Sequence, residues 1–148
     1  GLLHAEGNLS LADVQNAVLD VARYDIDALR DAVVEGDPAR CTRLLEGLRG
    51  EGAAAPLVLW ALANEIRLLA TLSAGTAAGQ PLAGLLKAER VFDERRKRTI
   101  TAALPRLRVG ALRSALLHAA KIDRIVKGLA AGDLWDEFLQ LALRLARR

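Results

Sequence analysis

The sequence predicts an all-α protein, and three features lead to that prediction. Hydrophobic residues make up 52% of the chain but aromatic residues only 3%, so the core must be built mainly from Leu, Ala, Val and Ile. Of these, Leu and Ala favour helices. Apolar residues recur at spacings of three and four, which is the helical period. Capping and glycine or proline residues separate these segments, and 148 residues suit one main core.

The N-terminal part predicts two helices with a break at Tyr24. Ser10 is a good N-cap, and the apolar residues after it follow helical spacing. A second helix is expected to begin at one of the two aspartates that follow the break and to end at Gly36. The break defines a candidate boundary between two domains, residues 1–23 and residues 24–148.

The centre of the chain predicts one short helix and then a long, strongly apolar one. Asp37 caps the short helix and Pro38 takes its first position, where a missing N–H does no harm. Its apolar face includes Cys41, which is therefore expected in the core. Pro56 begins the long helix, the expected centre of the core, and residues 73–80 are expected to form a loop. The polar side chains of the long helix form a narrow stripe, namely Asn64, Glu65, Arg67 and Thr71.

The C-terminal part predicts four more helices. Pro81 begins a short one, residues 89–104 form the next, and residues 106–127 form a long amphipathic helix. Asp133 caps the last helix. We therefore expect about seven helices and no strand, with five to six helices in the domain that follows Tyr24.

The net charge of +3 is unevenly distributed along the chain. Residues 10–51 carry nine acidic and five basic side chains, whereas residues 87–108 carry eight basic and three acidic ones. This asymmetry predicts an electrically polar molecule that could orient against neighbours or bring a basic face near nucleic acid. For the basic run at residues 95–98 a solvated helix face is the first interpretation, a subunit contact the second and DNA contact the third. DNA contact ranks last because Phe92 is the one aromatic residue nearby.

No catalytic or cofactor-binding motif is recognisable in the sequence. Gly79 and Gly84 have the spacing of a phosphate loop, but the leucines after them cannot replace the Lys and Ser or Thr that hold phosphate and magnesium. A glycine-rich run at residues 47–52 lies between two predicted helices, where the strand of a dinucleotide-binding motif is missing. Acidic residues lie at helix starts or among arginines, where capping and solubility account for them. We expect no catalysis and no cofactor.

The cysteine and the histidines do not predict a metal site. The single cysteine, Cys41, excludes an internal disulfide and a cysteine-based metal cluster. His4 and His118 are far apart, and neither has a carboxylate or histidine partner three or four residues away. His118 shares a helix face with Ser114 and Lys121, so it is interpreted as a solvated or subunit-interface residue.

The composition predicts a cytoplasmic protein without membrane contact. No run of about 18 apolar residues is free of charge, and the longest apolar segment, residues 53–63, is too short to span a bilayer. A single cysteine fits a reducing compartment. The first residues have neither an initiator Met nor a leader pattern, so they look like the interior of a longer chain.

Taken as a whole, the sequence resembles the delta-subunit family of the bacterial DNA polymerase III clamp loader over nearly all of its length. The resemblance lies in the order and spacing of short segments. In chain order these segments are Asp13-Val14, Ala22-Arg23-Tyr24-Asp25, Gly36-Asp37, Arg43-Leu44-Leu45, Leu48-Arg49-Gly50-Glu51-Gly52, Leu59-Trp60-Ala61-Leu62, Glu65-Ile66-Arg67-Leu68-Leu69, Val91-Phe92, Arg95-Arg96, Asp123, Lys127-Gly128 and Trp135. Each segment is weak alone, and the specificity comes from their combined order.

The resemblance implies both a fold and a role. Residues from about Tyr24 onward would form the helical collar domain of delta, and residues 1–23 would be the end of the preceding lid domain. The collar would hold delta in a pentamer with delta-prime and the ATP-hydrolysing gamma or tau subunits. That pentamer opens the sliding clamp and loads it on primed DNA for the polymerase holoenzyme. The N-terminal domain of delta, outside this sequence, would contact the clamp, and contact with DNA would be indirect.

Nine side chains are candidates for the subunit interface or the core. They are Trp60, Glu65, Arg67, Arg95, Arg96, His118, Lys121, Lys127 and Trp135. Trp135 is interpreted as a core residue, whereas Trp60 is left open between core and interface. The alternative function is a stand-alone helical adaptor or DNA-associated protein that uses the basic helix at residues 89–104.

Overall fold

The computed structural model describes residues 10–147, and no strand occurs among them. His4 lies outside the described residues. The helices are α1 (Leu11–Glu35), α2 (Pro38–Gly50), α3 (Ala55–Ala77), α4 (Leu82–Ala88), α5 (Glu94–Ala103), α6 (Val109–Val126) and α7 (Leu134–Ala146). The predicted all-α class is confirmed, and so are the predicted caps Ser10, Asp37 and Asp133, whose side chains accept hydrogen bonds from backbone N–H groups three residues later.

The predicted break at Tyr24 is wrong, because α1 runs through it as one continuous helix. Neither glycine nor proline occurs within α1, so nothing stops the helix once it has begun. An ion pair one turn long, from Arg23 to Asp20 at 3.5 Å, lies on the turn just before the expected break. The helix ends as predicted at Gly36, whose φ of 74° is the left-handed conformation that glycine adopts without a Cβ clash.

The two halves of α1 differ sharply in burial. Leu29 and Val33 in the second half are fully buried in the core. Val14, Val18 and Val21 in the first half are exposed, although they repeat at helical spacing. The first half of α1 therefore presents an apolar face that the rest of the described chain does not cover.

The core is one contiguous cluster formed by helix-on-helix packing. The pairs in most extensive contact are α3 with α6, α1 with α2, α2 with α7 and α6 with α7. Trp135 packs edge-on against the Phe138 ring with 5.4 Å between ring centroids and is partly buried against the core. The largest fully buried side chains are Phe138, Leu29, Leu48, Leu62, Ile66, Leu69, Leu72, Ile100, Leu112, Ile122, Leu141 and Val33.

The predicted loop at residues 73–80 is helical as far as Ala77. Ser73 is buried and its hydroxyl donates to the Leu107 carbonyl at 3.1 Å, so α3 and the start of α6 meet at this end. Gly75 lies so close to α4 that a Cβ atom there would come within 2.6 Å of Leu85 Cδ1. The glycine that suggested a loop therefore serves close packing between two helices.

Two other helices begin later than predicted. The helix expected at residues 89–104 starts at Glu94, where the Asp93 side chain accepts from the Arg96 N–H at 2.8 Å. Arg90 before it has a φ of 58°, which is incompatible with a right-handed helix. The long amphipathic helix starts at Val109 rather than at residue 106. In both places a local turn ends the preceding segment before the next cap begins.

Within residues 10–147, α3 alone has the length and composition of a candidate membrane span, with a mean hydropathy of 1.4. Half of that segment is buried inside the fold, and the core helices of globular domains often have the same composition. The most extensive packing partner of α3 is α6.

Cys41 is expected to react slowly in the folded protein. Its side chain is fully buried, as predicted. Burial, with a smaller contribution from the Asp37 carboxylate, raises the pKa of the thiol to about 11. Because the thiolate is the reactive form, DTNB at mildly alkaline pH should modify the native protein at least ~100-fold more slowly than the urea-unfolded chain. Equal rates of modification in the native and the urea-unfolded protein would show that the region around Cys41 opens readily to solvent.

Candidate interaction surface

An open groove runs between α3 and α6. The Ser73 to Leu107 hydrogen bond places the end of α3 beside the start of α6, so the two helices run antiparallel. The groove is lined by Leu59, Trp60, Ala63 and Arg67 from α3 and by Leu116, Ala119, Ala120, Asp123 and Lys127 from α6. Trp60 therefore lies toward the same end of the groove as Lys127, and Arg67 lies toward the middle of α6.

Trp60 is the most distinctive residue of this groove. The neighbouring residues Leu59 and Leu62 are buried, whereas the Trp60 side chain faces outward and is 63% exposed. The structure thus decides the open question about Trp60 against a core role. Exposed tryptophan is uncommon on a folded domain, and tryptophan is enriched at the centres of protein interfaces.

The two predicted cations in the groove keep their charge available at its surface. Arg67 is exposed and donates to the Asn64 side chain at 3.1 Å. Lys127 forms an exposed ion pair with Asp123 at 2.7 Å, one turn away on the same helix. Pairs of this kind contribute little to stability. They do position charged groups at both sides of the apolar groove floor.

Glu65 and Arg96 form a nearly buried ion pair that joins α3 to α5. The two contacts are Arg96 Nη1 to Glu65 Oε2 at 2.8 Å and Arg96 Nη2 to Glu65 Oε1 at 2.6 Å. The Glu65 side chain is 3% exposed and that of Arg96 is 25% exposed. Hydrogen bonding to Glu65 raises the pKa of Arg96, so the guanidinium stays charged. Glu65, one of the four residues of the predicted polar stripe, is thus buried, and Arg96 is not part of the solvated face that was the first interpretation of residues 95–98.

Arg95 extends the connection of α5 to α1. Its guanidinium contacts Asp31 at 2.8 Å and Glu35 at 3.4 Å. The basic segment of the sequence thus lies against the acidic one, and the opposite charges neutralise each other locally. The predicted electrical polarity is accordingly reduced by folding. Of the run at residues 95–98, Arg98 best fits the interpretation as an exposed, solvated side chain.

Arg106 was missed by sequence reasoning, which placed it inside a helix. Its guanidinium Nη2 donates to the carbonyls of Val33 and Val34, each at 2.9 Å. These carbonyls belong to the last turn of α1, where helix carbonyls lack partners within the helix. No local pattern could have revealed this role, because the contact spans more than seventy residues.

His118 is buried and hydrogen-bonded to Glu137, contrary to its interpretation as a solvated or interface residue. Its Nε2 lies 2.8 Å from Glu137 Oε1, and Lys121 Nζ lies 3.4 Å from the same oxygen. An ionised carboxylate only accepts hydrogen bonds, so Nε2 is the donor. The hydrogen bond from His118, together with the Lys121 charge, lowers the pKa of Glu137. The cluster joins α6 to α7.

The lowered pKa of Glu137 predicts a loss of stability in acid. Its ordinary value is 4.5, and the unfolded chain binds the proton there while the folded chain does not. Stability should therefore be complete above about pH 4.5 and should fall as the pH drops through the lowered pKa. The free energy of unfolding should be measured by denaturant titration at several pH values from above about pH 4.5 downward. The difference in this free energy between the protein and Glu137→Gln should become smaller as the pH falls.

The matched control for this prediction is Glu94→Gln. Glu94 pairs with Lys97 at the exposed start of α5, with its side chain 75% exposed. Its removal should leave the pH dependence of unfolding nearly unchanged. If the difference in unfolding free energy between the protein and Glu137→Gln stays constant down to strong acid, the assigned cluster of His118, Lys121 and Glu137 is contradicted.

Several of the predicted polar side chains join one helix to another. Among residues 10–147 there is no group of three or more His, Cys, Asp or Glu side chains that could hold a metal ion. The nine predicted candidates divide as follows: Trp60, Arg67 and Lys127 line the groove; Glu65 pairs with Arg96; His118 and Lys121 meet at Glu137; Arg95 joins α5 to α1; and Trp135 packs on Phe138.

Fold and surface together define an all-helical domain whose buried Glu65 is paired with Arg96 and whose α3/α6 groove carries the exposed Trp60. A family model described as "Processivity clamp loader gamma complex DNA pol III C-term" matches residues 26–148. The chain is also similar to DNA polymerase III subunit delta of Escherichia coli (strain K12), with 31% identity over 147 residues. The chain therefore belongs to the DNA polymerase III clamp-loader delta family and corresponds to its C-terminal region.

The similarity to the Escherichia coli protein covers 99% of this chain and 42% of that protein. The chain thus spans less than half the length of this relative. The family model begins at residue 26, within α1 and close to where α1 enters the core.

Proposed function

We propose that this chain is a non-catalytic assembly domain that holds delta in the clamp-loader pentamer. The partners are delta-prime and the gamma or tau subunits, and the complex opens the sliding clamp and loads it on primed DNA in the cytoplasm. Contact with the clamp belongs to the part of delta outside this chain. The family membership carries this proposal. It is supported by the exposed Trp60 side chain on a domain whose buried carboxylate, Glu65, is already paired with Arg96.

We also propose that residues 1–23 are the end of one domain and residues 24–148 belong to the next, with the division near Tyr24. The uncovered apolar face of α1 at Val14, Val18 and Val21 supports this division, because such a face needs a covering neighbour. The start of the family match at residue 26 supports it too. Because α1 is continuous, the two domains would be divided by a change in packing along a single helix.

Assembly is tested by mixing the purified chain with delta-prime and gamma subunits and measuring the mass of the complex by light scattering. The proposal expects one chain to enter each complex at micromolar concentration or below, a usual range for specific assembly. Delta-prime and gamma alone provide the reference mass. A mixture in which the chain elutes only as the free protein overturns the proposal.

The DNA-associated alternative is less well supported by the geometry. Arg95 and Arg96 are engaged by Asp31, Glu35 and Glu65, so the basic helix offers few free cations to phosphate. A protein that binds DNA through this helix would lose affinity steeply with added salt and on Arg98→Ala. Such behaviour by the chain alone would favour the alternative.

A further inference from the structure

We infer that the α3/α6 groove receives an amphipathic helix of another clamp-loader subunit, and that this helix carries acidic side chains beside its apolar stripe. The inference rests on the proposed function, since it names the surface through which assembly would occur.

The floor of the groove has the shape and polarity that an apolar helix face requires. Trp60 lies at one end of the groove. Ala63 and Ala120 in the middle have small side chains, so a second helix can approach closely there. Leu117 is 75% exposed and lies one turn before Ala120 on α6, which extends the apolar area beyond the groove. Tryptophan is one of the residues most enriched at interface hot spots.

The charges around the groove indicate the polarity of its occupant. Arg67 and Lys127 lie within it, and the one acidic lining residue, Asp123, is paired with Lys127. The outer side of α6 adds the exposed cations Arg113 and Arg124. This side of the domain is therefore basic, and a partner helix with carboxylates at its edges would complement it.

Another subunit fits the groove better than a second copy of this chain. The exposed face of α1, with Val14 and Val18 beside Asp13, also combines apolar and acidic groups. A contact between that face and the groove of a second copy would join two different surfaces, and such contacts repeat without closing unless a ring forms. A different subunit could bring the same combination of apolar and acidic groups to the groove. Because that contact would not repeat from copy to copy, the number of subunits in the complex would be defined.

The test compares Trp60→Asp with Leu129→Asp, both measured in binding titrations of the chain with delta-prime and gamma subunits. Leu129 is similarly exposed but lies outside the groove, in the turn after α6. We expect Trp60→Asp to weaken assembly by roughly 30-fold or more and the control to change it by less than about threefold. The double replacement of Arg67 and Lys127 by Glu should weaken assembly at least about 10-fold.

Distinct outcomes overturn the inference and the proposed function. Assembly of the unaltered chain together with unchanged affinity of Trp60→Asp overturns the inference alone. Failure of the unaltered chain to assemble overturns the proposed function and the inference with it. Two further outcomes also overturn the inference: self-association abolished by Trp60→Asp, which would make a second copy the occupant, and salt-sensitive DNA binding abolished by it. Circular dichroism melting of each variant verifies that the fold is retained.

Discussion

Arg96→Ala should destabilise the domain by about 3 kcal/mol, since it leaves the carboxylate of Glu65 buried without its partner. Glu65 is 3% exposed and lies on α3, near the centre of the core, so the charge has no path to water without disrupting helix packing. Glu65→Gln should cost less, about 1–2 kcal/mol, because the Arg96 side chain is 25% exposed and can turn toward solvent. Guanidinium unfolding followed by circular dichroism measures both.

Two further variants distinguish the stability lost with the Glu65–Arg96 ion pair from stability lost through a general disruption of α5. Lys97→Ala removes the neighbouring cation, which pairs with Glu94 at an exposed site, and should change stability by less than about 0.5 kcal/mol. Replacing both Glu65 and Arg96 with Met should recover most of the loss, because a buried ion pair exchanged for apolar groups of similar volume is often neutral. An Arg96→Ala variant as stable as the Lys97→Ala control would refute the assignment of a buried pair.

Phe138→Ala should destabilise the domain by about 4 kcal/mol. Phe138 is fully buried on α7, a helix in contact with α1, α2 and α6, and its ring packs edge-on against Trp135. Truncation would remove the transfer energy of the ring and leave a cavity that several helices cannot close together. The loss should appear as a lower denaturant midpoint with an unchanged slope, which indicates reduced stability of the same fold.

The chain supplies a matched control for this change. Phe92 is the other phenylalanine, and it is 63% exposed in the segment between α4 and α5. Phe92→Ala should shift the free energy of unfolding by no more than about 0.5 kcal/mol. Similar losses for the two variants would mean that α7 is not packed as described.

Helix content and capping could be predicted because their causes are local. Asp37 and Asp133 cap helices through contacts three residues away, and Cys41 follows the apolar face of α2 into the core. The errors have local causes of another kind. Tyr24 interrupts the periodicity without stopping the helix, and Gly75 belongs to a helix because another helix packs closely against it.

The candidate side chains were identified more successfully than their roles. Glu65 and Arg96 were both singled out, yet their pairing joins residues 31 apart in the sequence, and that of His118 with Glu137 joins residues 19 apart. Arg96 was expected on a solvated helix face and His118 at solvent or at a subunit interface, whereas both pairs are largely shielded from solvent. The local sequence pattern of a helix does not indicate which of its polar residues will face another helix.

The sequence by itself determined the helical class, most of the caps, the aliphatic core and the family to which the chain belongs. Helix propensity, capping and periodic burial act over about four residues, so they can be read along the chain. Only the tertiary structure decided that the basic segment lies against the acidic one, that the buried charges are paired, and that Trp60 is left on the surface. These outcomes depend on how the helices dock, and docking is set by contacts between residues distant in sequence.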